Sequence, residues 1–236
     1  MLKKNHSLEF EKHAKLYDKF SKVQKEVAVE LIKNIKSKPK KILDIGCGSG
    51  AIYKNISWDI DKFVGVDNSS SMCSLHPKNS KTEIICEDFD AIKFDGLCEV
   101  FGKFDMIISS SSLQWSKDIE NIFAQSKKSS KDIAFAIFTD KTFQDIYKIT
   151  KKQSFLPKVE DISRYAKENW DVKIWQKRYR LYFEDNLSKF RYIKKSGTSG
   201  GVERLSYKQM RELIRRYPND YLEFEVIFII SYSNNT

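Results

Sequence analysis

The segment KILDIGCGSG, Lys41 to Gly50, decides how the rest of the chain is read. Ile42, Leu43 and Ile45 form a short apolar run suited to a strand buried on both faces, and Gly46, Gly48 and Gly50 follow at once. Glycine lets the backbone turn sharply and approach a ligand closely. The stretch after Gly50 is helix-compatible, and a helix start offers unpaired amides to a polar group.

Outward from this segment, strands are expected at Lys62–Val66, Glu83–Cys86, Phe104–Ser109 and Ile133–Phe138, with helix-compatible stretches between most of them. That alternation predicts a doubly wound, Rossmann-like α/β fold with a largely parallel sheet and helices on both faces. Upstream, apolar residues from Leu8 to Ile35 recur at three- and four-residue steps, as in one or two amphipathic helices. Downstream come an alternating stretch at Val172–Phe183, helical stretches near Leu187–Lys195 and Tyr207–Tyr217, and the run YLEFEVIFIISY, which suits a strand inside the sheet. The chain of 236 residues is thus expected to be one domain. Its parts would be N-terminal cap helices at 1–40, a cofactor-binding core at 41–140, a basic lid and substrate-recognition region at 141–216, and a C-terminal strand at 217–236.

Composition narrows the function classes. No apolar run approaches the length of a spanning helix, and the opening MLKKNHSLEFEKH lacks the apolar centre of a secretory signal, so a cytoplasmic protein with no membrane partner is expected. Cys47, Cys73, Cys86 and Cys98 have no CxxC spacing and no histidine grouped with them, which predicts reduced, mostly buried thiols and no metal. The net charge of +10 is confined: residues 141–216 carry a balance of +11 and all the others together about −1.

The glycine motif with Ala51 also fits a nicotinamide dinucleotide fingerprint, and Asp67 at the end of the second strand would serve either ligand by holding ribose hydroxyls. Asp44 favours S-adenosylmethionine. It lies two residues before Gly46, where a carboxylate can face the cationic end of a sulfonium amino acid but would repel a pyrophosphate. Asp88 and Phe89, after the third strand, suit an adenine amine and ring. The fourth strand runs into SSSSLQW, placing Ser109, Gln114 and Trp115 at the carboxyl edge of the sheet, where open α/β sheets bind ligands.

With these residues in view, the chain resembles class I S-adenosylmethionine methyltransferases. Within them it is similar to the malonyl-acyl-carrier-protein O-methyltransferases of biotin (pimeloyl) synthesis. The resemblance runs through FEKHAKLYDKFSKVQKEVA, the glycine motif, SSSLQW, IKKSGTSGG with LSYKQM, and YP followed by LEFEVIFI. It departs where that family has a Pro-Gly-Gly turn before the fifth strand, which here reads QSKKSSKDIAF, and in the serine-rich loop VDNSSSMCSLH.

The resemblance implies a carboxyl O-methyltransferase acting on malonyl-loaded acyl carrier protein, an acidic partner that the basic region would dock. S-adenosylmethionine would be held by Tyr17, Gln24, Asp44, Gly46, Gly48, Gly50, Asp67, Asn68, Met72, Asp88, Phe89 and Ser109. Substrate would meet Gln114, Trp115 and Arg204, with Tyr17 and Arg204 acting at the reacting end. An ionised malonyl carboxylate needs no general base, so no catalytic histidine is expected. Other classes stay open from the residues alone: a methyltransferase for a free small acid, one for nucleic acid, and a non-catalytic cofactor-binding assembly factor. Nucleic acid is disfavoured by the absence of an NPPY-type motif and of a basic run interleaved with aromatics.

Overall fold

A computed structural model describes residues 20–196 and 205–232. The segment Lys41–Ile45 is strand β1, and it sits near the middle of a seven-stranded sheet. The other strands are β2 (Lys62–Asp67), β3 (Thr82–Cys86), β4 (Phe104–Ser110), β5 (Ser130–Phe138), β6 (Val172–Tyr182) and β7 (Tyr221–Ser231). Their spatial order is β3-β2-β1-β4-β5-β7-β6. The five strands β3 to β5 pair in parallel, and β7 lies antiparallel between β5 and β6. The chain therefore winds outward in one direction from β1 and in the other from β4. A crevice opens between the carboxyl ends of these two neighbours, where the strand order reverses.

The period of two along each strand divides the core into two layers. Ile42, Phe63, Met106 and Ile108 face the helices α1 (Lys22–Asn34), α7 (Asn186–Lys195) and α8 (Tyr207–Arg216). Leu43, Ile45, Val64 and Val66 face α3 (Phe94–Phe101), α4 (Ile119–Ser129) and α6 (Val159–Asn169). Two short helices, α2 (Ser70–Leu75) and α5 (Gln144–Thr150), follow β2 and β5 on the carboxyl side of the sheet. Because β1, β4, β5 and β7 are covered on both faces, their sequences are nearly continuous apolar runs rather than alternating ones.

Several expectations change. The stretch after Gly50 forms turns and one 3-10 turn, Tyr53–Asn55, instead of an α-helix. Few residues separate the glycines from Ile60, and Trp58 donates its indole N–H back to Pro39 O at 2.9 Å, which draws the chain into β2 before a longer helix can form. The missing Pro-Gly-Gly turn is replaced by serines, with α4 running straight into β5. Ser126 Oγ donates to Ile122 O (2.7 Å), and Ser130 Oγ lies within hydrogen-bonding distance of Ser126 O (3.0 Å) and Asp132 O (2.9 Å). These hydroxyls satisfy backbone groups that a turn would otherwise have to present.

The stretch 141–216, read as a lid, is in large part framework: α6 packs in the second layer and β6 is the edge strand paired along its whole length with β7. Cys47 and Cys73 are buried, but Cys86 is exposed at the end of edge strand β3, so the thiols are not mostly buried as expected. The expected N-terminal helices before residue 20 lie outside the described residues.

Candidate active site

The crevice holds a cavity of about 690 Å³. Its floor is built by β1. Asp44, at 1% exposure, lies on the cavity wall, and neither carboxylate oxygen has a hydrogen-bond partner. Burial, and then the negative charge of Asp67, push its carboxyl well above the usual carboxylate range. After β1 the chain turns through Gly46 at φ +72° and Gly48 at φ +53°, and the amides of Gly46 and Cys47 donate to Val66 O at 2.8 and 3.0 Å. A Cβ on Gly46 would overlap the side chain of Ser112, whereas one on Gly48 meets nothing within 4 Å. The first glycine lets two loops pack; the second leaves room for a ligand.

Asp67 ends β2 with a fixed carboxylate. Gly48 N donates to its Oδ2 and Ser69 N to its Oδ1, both at 2.9 Å. Burial raises its pKa while these two amides pull it down. Asp88, after β3, accepts from Lys117 Nζ at 2.8 Å, and Asp90 accepts from Ser116 Oγ at 2.6 Å and from Lys117 N at 2.8 Å. The loops after β3 and β4 are thereby tied together across one end of the cavity.

Besides the two oxygens of Asp44, the wall carries Ser21 Oγ, Gln24 Oε1, Ser110 Oγ and Ser111 Oγ without hydrogen-bond partners. Each such buried atom costs about 1–3 kcal/mol unless something satisfies it. Their convergence on one cavity marks a polar ligand site. S-adenosylmethionine fits this donor and acceptor set. Asp44 would face its ammonium, Asp67 its ribose hydroxyls and Asp88 its adenine amine, with Phe89 and Met72 supplying apolar surface for the ring.

Of the residues singled out in the sequence, Gln24, Asp44, Gly46, Gly48, Asp67, Asn68, Met72, Asp88, Phe89 and Trp115 all line this cavity. Gly50 and Ser109 do not, which corrects their assignment as contacts. Gly50, at φ +86°, packs behind the wall, where an added Cβ would come within 2.7 Å of Pro77 Cδ. Ser109 is fully buried and donates to Ile45 O at 2.7 Å, fastening β4 to β1 beneath the site. Gln114 stands one step away, lining a smaller chamber that shares Trp115 with the main cavity. Tyr17 and Arg204 lie outside the described residues.

Residues 42–132, which contain the whole motif and four of the five parallel strands, match the family described as "Methyltransferase domain". Malonyl-[acyl-carrier protein] O-methyltransferase of Priestia megaterium is 28% identical, over 90% of this chain and 88% of that protein. The protein of the same name from Acetivibrio thermocellus is 30% identical, and its match spans 61% of this chain but 53% of its own length. The chain is an S-adenosylmethionine-dependent methyltransferase. In fold, the methyltransferase is like the YcgJ protein of Bacillus subtilis, with a TM-score of 0.61 at 14% identity, covering 88% of this chain and 99% of that one.

The cavity wall also holds residues that the sequence reading did not single out, among them Ser21, Lys25, Asp90, Ser110, Ser111 and Lys117. Ser21 lies three residues before Gln24, so helical spacing alone could have paired them. The serine run after β4 announced small polar groups, but not that Ser111 adopts φ +60° and so presents its hydroxyl to the cavity. Among the described residues, no group of three or more His, Cys, Asp or Glu is placed to hold a metal ion, and no helix is long and apolar enough to cross a membrane.

Proposed function

We propose that the methyltransferase esterifies the free carboxylate of malonyl-acyl carrier protein, an early step of biotin (pimeloyl) synthesis. The observation that carries this reading is the composition of the cavity wall. Among the described residues, it holds no histidine, tyrosine or arginine, and its ionisable groups are carboxylates, lysines and Cys47, whose thiol is pushed far up by burial. On this reading Asp44 and Asp67, the wall carboxylates with raised pKa, are taken up by the cofactor's ammonium and ribose, which leaves no base over for an amine or alcohol at neutral pH. A carboxylate arrives already ionised and needs none.

S-adenosylmethionine, when bound, supplies an electrophilic methyl group on a sulfonium. The chain's own part is to hold, orient and keep dry. Lys25 and Lys54 bring positive charge to the cavity wall and would draw an anion toward it, while Lys117 is engaged by Asp88. Ser110 and Ser111 offer hydroxyls at the carboxyl end of β4, able to orient a carboxylate without binding it as tightly as an ion pair would. Alignment of reacting groups in this way supplies on the order of 7–11 kcal/mol in favourable cases. Tyr17 and Arg204, outside the described residues, complete the proposal as groups acting at the reacting end.

The acidic carrier would be recognised by the basic region, here narrowed to α7 and α8 with the loops around them. Lys194, Lys195, Arg215 and Arg216 are all exposed in the last turns of these two helices. Reversing all four to glutamate is expected to cut kcat/KM for malonyl-acyl carrier protein by tenfold or more, on the order of what steering charges contribute, with cofactor affinity kept. Equal loss of cofactor binding and carrier turnover would remove the docking assignment. The related names of the similar proteins support the substrate reading.

A further inference from the structure

Beside the cofactor cavity, and sharing Trp115 with it, a second chamber lies under the carboxyl end of β5 and the amino end of β7. Phe138, Phe143, Leu156 and Phe224 give it an apolar lining. Its free space is about 10 Å³, room for one water-sized group, because Phe155 stacks on Trp115 with centroids 5.5 Å apart and planes 19° from parallel. Phe155 is nevertheless 45% exposed and lies in the connection between α5 and α6. It can swing out without breaking the sheet.

One polar group in this chamber is out of place. Gln114 is only 8% exposed; its Nε2 donates to Ser111 O at 2.6 Å, and its Oε1 has no partner. The Nε2 bond fixes which end of the amide is committed, so the atom left over is an acceptor. Thr142 and Tyr147, which also line it, are already engaged: the Thr142 hydroxyl donates to Glu225 O at 3.0 Å, and the Tyr147 hydroxyl is hydrogen-bonded to Ser154. A mainly apolar chamber with one unpaired buried acceptor calls for a largely apolar ligand segment that brings a hydrogen-bond donor to it.

We propose that this chamber is the subsite for the thioester arm of the substrate, and that Gln114 Oε1 accepts a hydrogen bond from the amide N–H nearest the thioester sulfur. The inference rests on the carrier-bound substrate proposed above. A pantetheine arm carries such an N–H two methylenes from its sulfur, with the amide carbonyl on the side away from the sulfur. A free small acid has no equivalent. Entry of the arm displaces Phe155 from Trp115, and Trp115 then forms the wall common to arm and cofactor. Gln114 is thus a specificity residue for thioester over free acid.

Two malonyl-loaded acyl carrier proteins test this, one with the natural arm and one in which CH2 replaces the amide N–H nearest sulfur. Methyl transfer to each is followed with the whole enzyme and with Gln114→Leu. The expected result is a kcat/KM about tenfold higher for the natural arm with the unaltered enzyme, since the isostere leaves the buried acceptor unpaired. In Gln114→Leu the two arms should fall within about twofold of each other. Because the readout is a ratio within one enzyme, general damage from losing the bond to Ser111 does not produce it. Equal rates on both arms with the unaltered enzyme, or a ratio that survives Gln114→Leu, would overturn the inference while leaving the proposed function intact. Absence of methylation on the natural arm would instead remove the proposed function, and this subsite with it.

Discussion

Replacing Asp44 by asparagine keeps the shape of the side chain and removes the charge that, in the free protein, has no partner. Asp44 is 1% exposed, both oxygens are unpaired, and Asp67 places a second negative charge nearby. Two effects of opposite sign follow. For cofactor binding, the variant loses one charge-assisted contact to the ammonium, a class of interaction that contributes about 1.5–3 kcal/mol, so the dissociation constant should rise by roughly 10- to 150-fold. For folding without cofactor, the variant should be more stable at neutral pH, because burial penalises the carboxylate and not the amide.

The pH dependence has a fixed sign. Burial holds the Asp44 carboxyl well above its ordinary value of 3.8, so the folded protein keeps a proton that the unfolded chain releases. Stability from this group is therefore greatest below 3.8 and declines as pH rises through the window up to the raised value. Asp44→Asn should flatten that decline. Calorimetric titration with S-adenosylhomocysteine measures the first effect, and thermal unfolding of the cofactor-free protein across pH measures the second. A variant that binds as tightly as the parent would refute the placement of the ammonium at Asp44, and one that melts lower than the parent at neutral pH without cofactor would refute the burial penalty on its charge.

Alanine at Gly46 and alanine at Gly48 should fail differently. Gly46→Ala overlaps Ser112 and is strained at φ +72°, so unfolding temperature and binding should both fall; Gly48→Ala meets no protein atom, so binding should be lost with a destabilisation of only about 1–2 kcal/mol, read by thermal unfolding beside titration. Asp88→Ala should erode the preference for an adenine amine. Competition between S-adenosylhomocysteine and its deaminated inosine analogue is expected to favour the former by about tenfold in the parent and by little in the variant, and an unchanged ratio would place the adenine elsewhere.

Much of this fold was legible because burial on both faces writes itself as apolar runs. β1, β4, β5 and β7 all read that way, and Asp44 and Asp67 stood out by interrupting or ending such apolar runs. Legibility failed where side chains act through the backbone. Ser109 and Ser110 are chemically identical neighbours, and only the pleat decides that one fastens β1 while the other faces the cavity. Gly50 belongs to the motif but serves packing against Pro77, a contact between residues far apart in sequence. The tie from Lys117 to Asp88, and the left-handed Ser111 held by Gln114, are likewise long-range or conformational facts that periodicity does not carry.

The measurement closest to the central claim is intact-mass analysis of malonyl-acyl carrier protein incubated with the enzyme and S-adenosylmethionine, with free malonate and an RNA pool offered in parallel. The account predicts a gain of one methyl group on the carrier-bound malonyl, removed by mild ester hydrolysis, and little transfer to malonate or RNA. An unmodified carrier in the presence of bound cofactor, or methyl transfer to the RNA pool instead, would contradict it.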